Sequence, residues 1–141
     1  MKKTIIVGIL FIISVISVWF FTRTFYRVQY FEIAKEHYMY REAMYCDSLN
    51  VPTDDYAEAL TIQKIVEGCQ ISVGMLIEEF EYEVDEVVFF GKNPQEAYEA
   101  AKYRAVERLK HYYHIMNNPV NPQMLIPQDL RDILEAEEEG L

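Results

Sequence analysis

The sequence predicts an all-α fold: an N-terminal transmembrane helix followed by a small acidic helical bundle of three to four helices. Three observations predict it. The stretch Thr4–Thr22, TIIVGILFIISVISVWFFT, is uncharged and apolar on every side. Beyond Arg23 the apolar residues recur at steps of three and four, the period of a helix face. The breaks in that pattern fall at proline, glycine and asparagine, residues that end helices. The resulting division is an anchor over residues 1–23, a helical domain over 24–118, and a proline-rich connector with a short helix and acidic tail over 119–141.

The anchor comes first. Its nineteen residues rise about 1.5 Å each, roughly 28 Å in all, which matches the ~30 Å hydrocarbon core of a bilayer. A secretory signal has a similar outline, with Lys2 and Lys3 before the apolar run. This run is longer than the ~7–15 residues of a usual signal core. No A-x-A site follows it, and the first alanine is Ala34. Cleavage after Val15-Ile16-Ser17 would leave Val18, Trp19, Phe20 and Phe21 at the new start. An uncleaved signal-anchor is therefore the expectation, with a secreted or periplasmic product of cleavage as the alternative. Arg23, Arg27 and Lys35 flank the far end, so the positive-inside count does not decide orientation. The short basic head places the N-terminus in the cytoplasm and the C-terminal domain outside it.

The helical pattern runs on from Thr24 to Leu49, and the span is expected to continue into the domain as one long helix. Phe31, Ala34, Tyr38, Tyr45 and Leu49 form its stripe, interrupted by Glu42. Asn50-Val51-Pro52 ends it, because the residue before proline is pushed out of the α region. Thr53 is then the expected cap, with Asp54 and Asp55 at the positive end of the next helix. The seam of that helix is Ile62, Val66, Cys69, Val73, Leu76, Phe80, Val84 and Val87. A kink is expected near Gly74, and a short strand over 81–90 is the local alternative. Gly91 is the stop. Asn93-Pro94-Gln95-Glu96 carries a capping asparagine, a proline at the first helical position and a glutamate at the third. The helix it opens has Tyr98, Ala101, Ala105, Leu109, Tyr112 and Met116 on its seam, and the alanines admit a close neighbour. After Pro119 an extended connector leads to a last helix opened by Pro127, with Leu130, Ile133 and Leu134 on one face.

Charge narrows the function classes. The net charge is −10; Lys2, Lys3 and Arg23 supply +3 at the N-terminus, leaving −13 for the rest. Such a domain offers no basic stripe to nucleic acid. Of the two cysteines, Cys46 lies about six residues before the Val51-Pro52 turn and Cys69 about seventeen after it. In a tight antiparallel hairpin that offset is ~16 Å, beyond disulfide reach. An intrachain bridge is therefore not expected, and buried thiols or an intermolecular bridge are.

Glu107, His111 and His114 are the residues that most resemble metal ligands. They sit opposite the Leu109 seam, where Glu107 can pair with Lys110 or His111. Neither H-E-x-x-H nor paired E-x-x-H elements occur. The acidic run Glu78, Glu79, Glu81, Glu83, Asp85 and Glu86 lacks calcium-loop spacing and reads as a solvated outer face. No nucleophile elbow or glycine-rich phosphate loop is present. The expectation is a non-enzymatic protein with no cofactor and no small-molecule substrate, held in a membrane and binding a protein partner there as a regulator, inhibitor or small subunit of an envelope complex. A metal-dependent protein using Glu107, His111 and His114 is the rival from another class. Tyrosine is abundant, with eleven in the chain, and it is enriched at interfaces. Tyr38, Tyr45, Tyr98, Tyr112 and Tyr113 are the candidate partner-binding residues.

Overall fold

In the computed structural model, one helix, α1 (Lys2–Ser48, 47 residues), joins the apolar stretch to the domain. At ~1.5 Å per residue it is about 70 Å long. The structure describes residues 1–115 together with Leu130, Asp132, Ile133 and Ala136. The connector expected after Pro119 lies outside the described residues. The other helices are α2 (Tyr56–Glu81), α3 (Val84–Val88) and α4 (Pro94–Ile115), and no strand occurs among the described residues.

The two halves of α1 differ in what they touch. From Ile5 to Phe21 every large apolar side chain is exposed. From Phe31 onward the expected stripe packs inward: Phe31 is buried, and Ala34, Tyr38, Tyr45 and Leu49 are half-buried. Glu42, the expected interruption, is itself buried at 4% exposure. α2 returns antiparallel along this half, and α4 packs chiefly on α2. By length and composition α2 would also suit a membrane, but Cys69, Val73, Leu76 and Phe80 are buried on its inner face.

The core is an aromatic column set against alanines. Phe31 of α1 stacks on Phe80 of α2 at 4.8 Å between ring centres. Tyr38 meets Phe80 edge-on at 5.5 Å and stacks on Tyr98 of α4 at 3.9 Å. Ala97, Ala101 and Ala105 are fully buried, as their small side chains suit a close helix approach. Leu130 is helical and fully buried, and Ile133 packs on the same core, while Pro127 and Leu134 of the expected last helix lie outside the described residues.

Several local expectations are corrected. Asp55, not Thr53, caps α2: its carboxylate accepts from the N–H groups of Ala57 and Glu58. Thr53 supports it, accepting from the Asp55 N–H and donating to Glu58. The seam expected to run unbroken to Val87 divides at Tyr82–Glu83, between α2 and α3. Residues 84–88 are helical, so the strand alternative fails. Gly91 ends this segment with φ +73°, a conformation glycine adopts without a Cβ penalty. Asn93 caps α4 by accepting from the Gln95 N–H.

The largest correction concerns the cysteines. Cys46 and Cys69 form a disulfide, with 5.6 Å between their Cα atoms. A tight turn at Val51-Pro52 does not exist. Residues 49–55 are non-helical and α2 starts only at Tyr56. A connector of seven residues can carry the chain outward by at most ~23 Å. The thirteen helical steps from Tyr56 to Cys69 bring it back about 20 Å. The outward excursion of this non-helical connector thus offsets the register difference that forbade the bridge. Both cysteines are buried, and Tyr45, Leu49, Val73 and Ile77 pack around them.

Candidate functional site

Two features of the domain are unusual in composition: the end where it meets the apolar half of α1, and a charged clamp between α2 and α4. The first is built by the corner from α3 to α4. Val87 and Val88 bury themselves beneath it, while Phe89 and Phe90 are exposed. Phe89 stacks on Phe20 of α1 with 6.4 Å between ring centres. A Cβ on Gly91 would meet the Arg27 guanidinium at 3.2 Å, so Arg27 lies directly against the turn. Arg23 sits over the Trp19 ring at 5.4 Å. The corner is therefore level with the last turn of the apolar stretch.

The clamp overturns the reading of the acidic run as wholly solvated. Glu79 and Glu83 are buried, at 8% and 6% exposure. Arg104 donates to Glu79 Oε2 at 2.9 Å, to Glu83 Oε1 at 2.7 Å and to the Glu79 carbonyl at 3.0 Å. Arg108 donates to Glu79 Oε1 and Glu78 Oε2, and Lys92 to Glu83 Oε2. Burial alone raises the Glu83 carboxyl pKa, but the hydrogen bonds from Arg104 and Lys92 outweigh it and hold it below the ordinary value. Glu78, Glu81, Asp85 and Glu86 are exposed, as expected.

A second polar network ties α1 to α4. The Tyr98 hydroxyl donates to Glu42 Oε1 at 2.7 Å. Arg41 donates to the same oxygen at 2.8 Å and to the Tyr98 hydroxyl at 3.1 Å. Its guanidinium lies 5.4 Å from the centres of both the Tyr38 and Tyr98 rings. Burial and the Glu42 carboxylate push the Tyr98 phenol far above its ordinary pKa, so the hydroxyl stays a donor. Burial similarly raises that of Tyr38.

These contacts decide where the expected tyrosines stand. Tyr98 is only 2% exposed, so it is a core residue and offers no surface to a partner. Tyr38 is half-buried against it, Tyr45 packs beside the disulfide, and Tyr112 packs on the main core. The Tyr113 side chain lies outside the described residues. Tyr38 and Tyr98 meet ring on ring, but the set forms no single exposed face. Glu107 pairs with Lys110 at 3.2 Å, one of its two expected partners. His111 is exposed in a shallow depression with Met75, Glu107, Arg108 and Tyr112. The His114 side chain is outside the described residues, and among the described residues no His, Cys, Asp and Glu side chains gather as a metal site.

Sequence reasoning missed the clamp and the Phe89-Phe90 corner. One signal was present: Glu79 and Glu83 are four apart, and so are Arg104 and Arg108, a spacing that puts each pair on one face of a continuous helix; the arginines are so placed on α4, while Glu83 lies just past the end of α2. Comparison with protein-family models, curated proteins and solved structures finds no match to this chain.

Proposed function

We propose that this chain is a single-pass membrane-anchored protein, non-enzymatic, whose helical domain binds a protein partner close to the bilayer. The observation that carries the reading is the unbroken helix α1, which leads an exposed apolar stretch straight into a packed domain. Fourteen large apolar side chains between Ile5 and Phe21 are exposed. Removing each from water is worth about 1.5–3 kcal/mol. Their sum exceeds the ~5–15 kcal/mol that stabilises a domain, so a lipid environment is the natural solvent for this half.

The disulfide supports the side. Bridges persist in oxidising compartments and are rare in the cytosol, which supports a domain outside the cytoplasm with the N-terminus inside. In that orientation the Cys46–Cys69 staple stands about 36 Å beyond Thr22. The connector and first turns of α2 lie at this distal end, where Val51, Tyr56 and Leu60 are exposed. These residues, with Tyr45, Tyr112 and Tyr113, are the proposed partner contacts. Tyr56→Lys with Leu60→Glu should abolish crosslinking to the partner in native membranes, read by mass spectrometry, while the chain stays membrane-bound. Crosslinks that persist in this variant, or a wild-type chain that yields none, would overturn the reading.

A further inference from the structure

We propose that the Phe89-Phe90 corner is a second membrane contact, inserting into the headgroup–acyl boundary beside the span. The proposal rests on the reading of residues 4–22 as membrane-spanning, and adds to it a lipid site within the domain. A turn between helices is ordinarily polar. Here it carries two adjacent phenylalanines, exposed at 50% and 76%. Their position is fixed by contacts on both sides. Phe89 stacks on Phe20, and Phe20 lies two residues, about 3 Å of helix rise, inside the end of the apolar stretch at Thr22. Arg27 lies against the Gly91 turn from the outer side. The Phe89 ring therefore reaches the depth of Trp19 and Phe20, where an aromatic ring is at home in a bilayer.

The surroundings agree with a lipid boundary. Phe21 of α1 is exposed at the same level, and Phe25 and Tyr26 are exposed about 8–9 Å further out along the helix. Arg23 and Arg27 stand just outside it, suited to phosphate groups of lipids. Asp85 and Glu86 on α3 are exposed, while Glu83 is neutralised by Lys92 and Arg104. The two exposed carboxylates offset the arginines, so insertion is driven by the rings and not by anionic lipid. The domain then rests on the bilayer at two points, which fixes its rotation about the span.

The test uses the full chain in phosphatidylcholine vesicles brominated near the carbonyl end of the acyl chains, where bromine quenches nearby tryptophan. Trp19 is the sole tryptophan and reports on the span. In a Trp19→Phe background, Phe90→Trp reports on the corner, Phe89→Trp repeats the measurement one residue away, and Tyr56→Trp reports on the distal end. The expected result is quenching of the Phe90→Trp protein comparable with that of native Trp19, and none for Tyr56→Trp. Quenching of Trp19 with full emission from both corner variants would overturn the second contact and leave the span intact. Full emission from Trp19 would overturn both. Equal quenching of Tyr56→Trp would also overturn the proposal, since the domain would then lie along the membrane.

Discussion

Replacing Cys46 and Cys69 together by serine should destabilise the domain by about 3.4 kcal/mol at 25 °C. The figure follows from the 23-residue separation of the bridged cysteines and the chain-entropy cost of leaving a loop of that length open in the unfolded state. For a domain of this size, about 4 °C of melting temperature is lost per kcal/mol, so a fall of roughly 10–14 °C is expected. The loss should be uneven. The bridge is what fastens the outer part of α2 to α1: from Asp54 to Thr61 every residue is exposed, and burial begins in earnest at Gly68 and Cys69. Amides over 56–67 should therefore exchange faster than those of Leu76 or Phe80 once the bridge is gone. The assay is a circular-dichroism melt of the full chain in nanodiscs, paired with hydrogen exchange. A melting temperature within about 3 °C of wild type would refute the entropic argument. An intact mass showing two free thiols in protein from native membranes would refute the bridge itself.

The other expectations concern the polar networks and the corner. Tyr98→Phe keeps the ring stack on Tyr38 but removes the hydroxyl that donates to buried Glu42; it should cost about 1.5–3 kcal/mol by denaturant melt, and a change below ~0.5 kcal/mol would sink the assignment. Breaking a buried ion pair costs ~3–5 kcal/mol, but Arg104 is partly exposed and its carboxylates keep Arg108 and Lys92, so Arg104→Ala should cost about 2 kcal/mol. Because the folded Glu83 carboxyl titrates below its ordinary value, its contribution is complete above the unfolded pKa of ~4.3 and is lost as pH falls through the lower folded one. Stability should therefore drop below about pH 4, with a shallower acid limb for Glu83→Gln. An unchanged acid limb would argue against the clamp. Gly91→Ala forces a side chain into a φ of +73° and against Arg27, and should cost about 1–2 kcal/mol; a neutral effect would show that the turn is not held as described.

Elements with a local cause were legible in the sequence. The stripe of α1, the seam of α2 and the alanine face of α4 follow from helical period alone. Gly91 and Asn93 followed from backbone and capping chemistry. The features that were not legible depend on residues far apart in the chain. The position of Cys69 relative to Cys46 is set by how far residues 49–55 extend, and a proline marks where a helix stops without saying how far the chain then travels. The burial of Glu79 and Glu83 is set by Arg104 and Arg108 on another helix, more than twenty residues on. Phe89 and Phe90 looked like β propensity because no local pattern says that a corner will sit beside an apolar helix. Tyr98 shows the opposite case. Its place on the α4 seam already implied burial, and composition alone had suggested a surface role.

On the proposed reading, α1 is an uncut membrane span continuous with the domain it carries. The most direct test is the intact mass of the chain recovered from carbonate-washed membranes of its native host. The expected mass is that of a chain retaining residues 1–17, lighter by the hydrogens lost to the Cys46–Cys69 bridge. A chain found instead in the soluble fraction, and beginning at Val18, would contradict it.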